Sequence, residues 1–365
     1  MVVAVRYSSG MGLAPGSAAR QLTPSLPAPG PLGVAPSSTH DDMTTELADA
    51  VLAAAAGLGL ETRSVGPDDD QSSLGALLAV GYPPVFLPIL RQPAACRRLA
   101  WVGEELPAVG TGPRGRAGRI GVGLFSAAAR LPRGVRHFGP VRFLGRPFGA
   151  EYTKLELAHH LRDALQVAGL VERFVAASKG NAEILRLSGA TVECVPFGYH
   201  ESVHGPLVPP TSGRDVELLT LGGISGPRSV RRSTWISRWR AAGLDIASVE
   251  TIWGPPRSAL LARTKIVIDV HRVPGTFAGT RLVMALAAGA AVVSEPMKTP
   301  DPFVPGVHFI SAPVENLGDE ARALLADEPR RRLIVDAGQE LLRGDLAMEN
   351  CLRQVLALLQ PPAGH

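Results

Sequence analysis

The chain has little cysteine and no long uncharged hydrophobic run. Its three cysteines are Cys96, Cys194 and Cys351. An odd, widely spaced set without a CxxC pair argues for a reducing compartment and against structural zinc. The longest hydrophobic run, Leu47–Leu60, contains Asp49 and is too short to span a bilayer. No apolar segment typical of a secretory signal follows the first arginine. These absences predict a cytoplasmic protein without a transmembrane segment.

Net charge is also low. Charged residues make up 19% of the chain and the net charge is +4, with a pI near 9.2. This bias favours anionic ligands but is too weak to indicate a nucleic-acid partner. Abundant Ala, Gly, Pro and Arg are typical of a high-GC bacterial genome, which explains much of the Arg excess. The length of 365 residues suits two α/β cores, and nothing indicates an oligomeric state.

The stretch Lys265–Glu295 carries the strongest local pattern. It predicts a strand at Ile266–Val270, a Gly/Thr loop, a helix at Thr280–Ala288 and a strand at Ala291–Ser294. Neither strand alternates with polar residues, as expected when helices cover both faces of a parallel sheet. A small-residue loop that opens a helix leaves backbone N–H groups at the positive end of its dipole, which suits a phosphate.

The residue after the second strand is acidic. Glu295 follows Gly275, the first loop glycine, by about 20 residues, and an acid at that distance binds the ribose hydroxyls in nucleotide-binding βαβ units. The stretch therefore predicts a nucleotide site.

Two α/β halves in tandem are predicted, with domains 1–200 and 201–345 and a C-terminal helix and tail at 346–365. The boundary lies in His200–Gly213, which has the composition of a linker. Ser8–Ser38 is too rich in Pro and Gly for regular structure. In the first half we predict strands at Val2–Tyr7, Pro83–Leu90, Arg98–Val102 and Val171–Ala177 and helices at Asp41–Leu60 and Gly180–Ser188. In the second half we predict strands at Val216–Leu221 and Ile246–Ile252 and helices at Ser229–Ala242, Leu317–Ala326 and around Arg331–Leu359.

Four patches together resemble a known family. They are Trp101–Pro107 (WVGEELP), Val195–His200 (VPFGYH), Leu221–Gly226 (LGGISG) and Arg281–Glu295 (RLVMALAAGAAVVSE). The set resembles GT-B glycosyltransferases, specifically the group-1-like, CgeB-type branch, over most of Val171–Leu325. The resemblance implies an α/β fold of two Rossmann-like domains facing across a cleft. It also implies a nucleoside-diphosphate-sugar donor on the C-terminal domain, an acceptor on the N-terminal one, and no dedicated metal or further cofactor.

The resemblance assigns the diphosphate to the loop before the helix. Gly275, Thr276, Gly279 and Thr280 are its candidate cradle, against the alternative of a loop that only needs positive φ and a helix cap. Arg281 in the first helical turn opposes the dipole unless an anion is near, although an exposed surface Arg is the alternative.

Two further loops are candidates for the rest of the donor. One contains Gly222, Gly223 and Ser225, with Arg228, Arg231 or Arg232 behind them, and would reach the distal phosphate or the sugar; a turn before an exposed basic helix explains it equally well. The other contains Trp253 and Gly254 and corresponds to the loop that holds the base. Trp253 either stacks there or fills the core. Glu295 is the candidate ribose ligand, with a solvated strand-end carboxylate as the alternative.

One position departs from the family pattern. Members usually carry Glu at the place of Met284, and a thioether cannot accept two good hydrogen bonds from a diol. Phe277, seven residues earlier, also replaces an acid. Either Glu295 binds the ribose alone, or donor affinity is reduced, or the chain no longer binds donors normally.

Catalytic candidates come from both halves. An inverting enzyme needs a general base, and His40 with Asp41 or Asp42 is the nearest His–carboxylate pair, although helix capping explains both acids as well. Glu104 is placed near the cleft by the resemblance. His271 ends a strand before the cradle and reaches towards the sugar, unless it is structural. The basic stretch Arg114–Arg146 either guides an anionic acceptor or a membrane surface, or is a solvated loop.

Three functions fit these features. The first is sugar transfer from a nucleoside-diphosphate sugar to an unidentified small molecule, natural product or cell-surface glycan. The second is a catalytically silent GT-B module that binds a nucleotide or a partner, which the residue Met284 favours. The third, a nucleoside-diphosphate-sugar epimerase, needs acid/base carboxylates that the sequence does not provide.

Overall fold

The computed structural model describes residues 30–35, 43–103, 106, 160–187, 189–210, 213–223, 229–250 and 252–360. Its first half forms a parallel sheet with helices around it. The strands are β1 (Leu32–Ala35), β2 (Thr62–Ser64), β3 (Ala76–Gly81), β4 (Arg97–Val102), β5 (Arg173–Ala176) and β6 (Val192–Cys194). They lie in the order β2-β1-β3-β4-β5-β6. The helices are α1 (Met43–Gly57), α2 (Pro83–Leu90), α3 (160–168), α4 (Lys179–Leu187) and the short α5 (Glu201–His204).

The second half forms another parallel sheet. Its strands are β7 (Val216–Leu221), β8 (Ile246–Val249), β9 (Thr264–Asp269), β10 (Ala291–Ser294) and β11 (Ile310–Ser311), in the order β11-β10-β9-β7-β8. The helices are α6 (Val230–Ala241), α7 (Gly254–Ala262), α8 (Gly279–Ala287), α9 (Leu317–Ala326), α10 (Glu328–Arg343) and α11 (Met348–Ala357). The strand order reverses between β7 and β9, and open α/β sheets bind ligands outside the carboxyl ends of the strands at such a point.

The apolar strands bury both faces, as predicted for β9 and β10; strand β3 is not among the predicted elements. In β3, Leu78 and Val80 join the core cluster on one side of the sheet while Leu77 and Ala79 join the cluster on the other. Strands covered on both faces carry continuous apolar runs for this reason. The larger cluster also contains residues of the second sheet, such as Val267, so the two halves share one apolar core.

The predicted strand at Pro83–Leu90 is wrong, because these residues form helix α2. Proline is tolerated in a first helical turn, where its missing N–H has no partner to lose. Pro88 lies inside the helix, which ends two residues later. Phe86 and Leu90 are fully buried in the first-half core, so packing rather than β-propensity decides the conformation.

A strand also forms within the Pro/Gly-rich segment that was predicted to be irregular. Leu32–Ala35 (β1) lies between β2 and β3, and all four residues are buried. Four apolar residues suffice because strands pair with it on both sides. The predicted strand Val2–Tyr7 lies outside the described residues.

The single long helix predicted around Arg331–Leu359 is wrong, since it breaks into α10 and α11. At the break, Tyr199 N–H donates to Leu346 O at 2.7 Å and Met348 N–H donates to Tyr199 O at 2.8 Å. This pairing redirects the chain, and α11 packs on α1 of the first half. The C-terminal residues thus return to the first sheet.

Candidate functional site

The candidate site lies at the carboxyl ends of β7, β9 and β10. Ser294 pairs with Asp269 at the ends of β10 and β9, so the residues that follow these strands are neighbours. Gly222 follows β7 and His271 lies two residues beyond β9. The apolar, parallel strands of the sequence therefore bring three predicted loops to one edge of one sheet.

The acid after β10 is bound inside the protein. Both oxygens of Glu295 accept hydrogen bonds from Arg231, Nη1 to Oε1 at 2.6 Å and Nη2 to Oε2 at 2.7 Å, and Oε1 also accepts from the His271 N–H at 2.8 Å. The Glu295 side chain is 4% exposed. A carboxylate has about four acceptor positions, and these three bonds leave about one for a ribose hydroxyl.

A second buried acid ends β9. Asp269 Oδ1 lies 2.8 Å from Arg281 Nε, although the N–H does not point at this oxygen, so the contact is an ion pair rather than a hydrogen bond. Burial by itself raises the pKa of Asp269, but Arg281, a hydrogen bond from His271 and the charge of Arg232 together hold it well below its usual range. Arg281 is thus neither an exposed surface residue nor dependent on a ligand for a counter-charge.

His271 is fully buried between the two strand ends. Its Nε2 lies 3.0 Å from Ser294 Oγ and 3.5 Å from Asp269 Oδ2, and its Nδ1 has no hydrogen-bond partner among the described residues. Its carbonyl accepts from Arg231 at 2.8 Å. These contacts give His271 a structural part in holding Asp269 and Glu295 together.

Arg232 ties the β7 loop to the end of β9. Its Nη1 donates to Gly223 O at 2.9 Å and its Nε donates to Val270 O at 3.1 Å. Gly222 has φ +93°, and a Cβ atom there would lie 3.0 Å from Arg232 Nη1. The start of α6 is therefore turned into the site, and the alternative of an exposed basic helix does not apply to Arg232.

The charges at this edge do not cancel. The acids are Asp269 and Glu295, and the arginines that contact the strand ends are Arg231, Arg232 and Arg281. Lys298 beside Gly275 and Glu250 beside Gly223 add one charge of each sign, so among these described residues four positive charges face three negative ones and one positive charge remains. A site with this balance favours an anionic ligand.

Helix α8 begins at the same edge without a side-chain cap and without an acid in its first turn. The first backbone N–H groups of such a helix lack intrahelical partners and favour anions. In the preceding loop Gly275 has φ +83°. Thr276 turns its N–H and its hydroxyl to Val273 O, at 3.3 and 2.9 Å, so neither hydrogen points to a ligand here.

Two side chains cover the loop glycines. A Cβ atom on Gly279 would lie 2.2 Å from Phe277 Cε1, and one on Gly275 would lie 3.1 Å from Lys298 Cγ. Gly279 thus makes room for the Phe277 ring, which also contacts the ring of Phe303 at 6.4 Å between centroids. The Phe277 ring therefore packs against the Cα of Gly279 at the start of helix α8.

The other departure from the family pattern lies in the core. Met284 is 6% exposed and belongs to the larger apolar cluster. Burial among apolar side chains explains a thioether at this position, since a carboxylate there would lack a partner.

The candidate base loop precedes helix α7. Ile252 is 38% exposed and Trp253 is half-buried, with the Arg257 guanidinium 6.0 Å from its ring centroid. The Gly254 N–H donates to Glu46 Oε1 of helix α1 at 2.5 Å. A residue of the first half therefore contacts this loop.

Several predicted residues lie outside the described part of the chain: His40, Asp41, Asp42, Glu104, Ser225 and Arg228. Over the residues that the structure does describe, no group of three or more His, Cys, Asp or Glu could hold a metal ion. No helix in that same part is long and apolar enough to cross a membrane.

Sequence reasoning missed Asp269 and Glu46. Asp269 carried a signal, because it ends an apolar strand and stands two residues before His271, and a period of two places alternate residues on one face. Glu46 carried none, since it stands more than 200 residues from its partners in the chain.

Comparisons with known proteins agree with this architecture. The family model of glycosyl transferase-like proteins matches residues 218–357, which include all the strand ends described above. A comparison with curated proteins found no match.

Solved structures match over nearly the whole chain. Sucrose-phosphate synthase from Thermosynechococcus elongatus is similar with a TM-score of 0.55 and 11% identity, covering 90% of this chain and 98% of that one. HepE from Anabaena, in complex with UDP and glucose, is similar with a TM-score of 0.55 and 9% identity, covering 90% and 99%. These identities establish the fold alone. The chain therefore has a GT-B fold, as the sequence predicts, and its residues 218–357 match the model of glycosyl transferase-like proteins.

Proposed function

We propose that the protein transfers a sugar from a nucleoside-diphosphate sugar to an acceptor. The observation that carries this proposal is the uncapped start of α8 beside an excess of arginine, at the strand ends of the family-matched half. An anionic donor suits that charge balance. The HepE structure with UDP and glucose supports a nucleotide ligand for this fold.

In this proposal the diphosphate binds at the start of α8. The N–H groups of Gly279 and Thr280 donate to it, and the nearby Arg281 and Lys298 balance its charge once the Phe277 ring has moved. Gly222 and Gly223 face the distal phosphate or the sugar. Glu295 binds the ribose through the acceptor position that Arg231 and the His271 N–H do not use.

The base lies at Trp253 and Gly254. Trp253 is half-buried, so one part of its ring remains available for stacking. Arg257 next to the ring is buried and fixes the place of this loop.

Transfer breaks the bond between the sugar C1 and the diphosphate oxygen and forms a bond from C1 to the acceptor oxygen. Negative charge grows on the diphosphate as the first bond breaks. The helix end and the arginines stabilise that charge without a metal ion, so activity is expected to survive EDTA. The acceptor proton passes to a general base, for which His40 with Asp41 and Glu104 stay the candidates.

A catalytically silent nucleotide- or partner-binding module is the second candidate function. Three observations favour it: Phe277 covers Gly279, Met284 is part of the apolar core, and Arg231 occupies Glu295. Each reduces the polar surface that a donor sugar or ribose would use.

Thermal unfolding in the presence of UDP, GDP, dTDP and their sugars separates these functions. A nucleotide that binds the folded state raises the melting temperature further as its concentration increases above its Kd. At 100 times the Kd the gain in the free energy of unfolding is about 2.7 kcal/mol. We then measure slow release of free sugar from the bound donor. Release with a bound donor supports transfer, and binding without release over days supports the silent module. No shift with any nucleotide contradicts both forms of nucleotide binding.

A further inference from the structure

The start of helix α7 is held by a residue of the other half. Glu46 lies in the first helix of the chain, α1, yet its Oε1 accepts from the Gly254 N–H at 2.5 Å and its Oε2 accepts from Arg257 Nη1 at 2.6 Å. The Glu46 side chain is 14% exposed and that of Arg257 is 4% exposed. Glu46 thus makes two largely buried hydrogen bonds from the first half to the second.

The sequence of α7 leaves no substitute for this contact. The helix begins Gly254, Pro255, Pro256, and the two prolines have no N–H to donate. Gly254 thus supplies the only backbone donor of the first three residues, and Glu46 accepts from it. A negative charge at this end of a helix is also favoured by the helix dipole. Helix α7 has no side-chain cap of its own.

Arg257 depends on the same acid. Its Nε and Nη2 are buried and have no hydrogen-bond partner among the described residues, so Glu46 is its principal counter-charge there. The Arg257 guanidinium lies 6.0 Å from the Trp253 ring centroid. Without Glu46, a buried cation would remain beside the loop 252–254, and that arrangement is costly enough to force a rearrangement.

We infer that Glu46 is a positioning residue that fixes the loop 252–254 from the opposite half of the protein. This inference rests on the proposed function in one respect, namely that the loop holds the base of the nucleotide. Binding of the nucleoside part then depends on how the first half sits against the second, whereas binding of the diphosphate at α8 does not.

The variants Glu46→Ala and Glu46→Gln test this inference. The amide of Gln keeps an acceptor for the Gly254 N–H but removes the counter-charge of Arg257. Glu46→Gln therefore distinguishes the hydrogen bond to Gly254 from the ion pair with Arg257, and it guards against a variant that does not fold. Glu61→Ala, an exposed acid of the same half, is the matched control. Titration calorimetry compares the nucleoside diphosphate that shifts the wild type most, among UDP, GDP and dTDP, with inorganic diphosphate.

For Glu46→Ala we expect nucleoside diphosphate to bind about tenfold more weakly, as for one lost charge-assisted hydrogen bond, while the Kd of inorganic diphosphate stays unchanged. Glu46→Gln is expected to fall between this variant and the wild type. An equal loss for both ligands, or no loss for either, would overturn the inference, because a purely structural acid changes stability without such a split.

Amide hydrogen exchange of the segment 252–260 tests the positioning without any nucleotide. Exchange is expected to be faster in Glu46→Ala than in the wild type and in Glu61→Ala. If the wild type binds no nucleotide, the proposed function fails, but this measurement still tests whether Glu46 fixes the loop 252–254. Unchanged exchange in Glu46→Ala would reject that inference.

Discussion

Two buried acid–arginine pairs hold the candidate site, and they differ in the origin of their partners. Glu295 and Arg231 both belong to the second half and join the ends of β9 and β10 to α6. Glu46 and Arg257 join the first half to the loop 252–254. The comparison indicates that the strand ends beside α8 are held by contacts within one half, whereas the geometry of the loop 252–254 depends on both. In the proposed function these are the diphosphate end and the base end of the site.

The largest effect is expected from breaking the pair within the second half. Glu295→Ala leaves Arg231 without its carboxylate and the His271 N–H without an acceptor. We expect the free energy of unfolding to fall by about 3 kcal/mol, as for loss of one partner of a buried pair. Urea denaturation measures this. The control is Asp215→Ala, which removes an exposed partner of Arg263 and should change the stability little, because solvent screens that pair.

Equal losses in the free energy of unfolding for Glu295→Ala and Asp215→Ala would contradict the conclusion that the buried Glu295–Arg231 pair stabilises the fold. Because Glu295→Ala also perturbs the fold, its effect on nucleotide affinity is interpretable only beside Glu295→Gln, which retains an acceptor for the His271 N–H. A ribose role predicts weaker nucleotide binding in both variants.

Acid is expected to destabilise the folded protein through His204, a buried residue at the end of helix α5. Burial lowers the pKa of His204 from 6.5 to about 4, and the charges of Arg257 and His200 act in the same direction. Between these pH values the unfolded chain binds a proton that the folded chain does not, so the stability present above pH 6.5 is lost as the pH falls towards 4. The loss is at most about 3 kcal/mol.

The measurement is urea denaturation from pH 7 to pH 4.5 for the wild type and His204→Gln. The variant lacks the titrating group, so its stability should fall less over this range, with all other groups unchanged. Parallel pH profiles would show that His204 does not titrate as a buried, neutral residue.

The smallest effect concerns the ring that covers the start of α8. Phe277→Ala removes the side chain that packs against Gly279. We expect inorganic diphosphate to bind about three- to tenfold more tightly, a gain of about 1 kcal/mol, because the helix end then needs no rearrangement. Calorimetry measures the change, and Phe303→Leu, which keeps the Phe277 ring, is the control. Weaker binding in Phe277→Ala would mean that the ring supports the ligand instead of excluding it.

Particular elements show how far the sequence alone reached. The strands β7 and β10 and the helix α9 have the predicted bounds, because apolar runs and helical periodicity report burial directly. Helix α2 and strand β1 do not, since proline-rich local sequence was overridden by packing against the first sheet. Two of the four patches that resemble the family contact each other in the structure. The ring of Trp101, in one patch, lies 4.7 Å from the ring of Phe197, in another, between centroids.

The candidate site divides in the same way. The Gly/Thr loop, Arg281 and Glu295 are recognisable in the sequence because they follow a strand–loop–helix pattern in a short stretch. The partner of Glu295 is not recognisable, since Arg231 stands 64 residues away and no pattern links the two.

By itself the sequence determined that the chain forms two parallel α/β halves and that the second half presents a helix start and an acid at one sheet edge. These properties follow from hydrophobic periodicity and from residues close together in the chain. Only the tertiary structure decided that Glu295 is bound by Arg231, that Phe277 covers Gly279 and that Glu46 contacts the loop 252–254. Arg231 and Glu295 stand 64 residues apart within the second half, and Glu46 and Gly254 stand 208 residues apart in different halves, so folding alone brings each pair within hydrogen-bonding distance. Phe277 and Gly279 are close in the chain, but the Phe277 ring also packs against Phe303, which local sequence does not reveal.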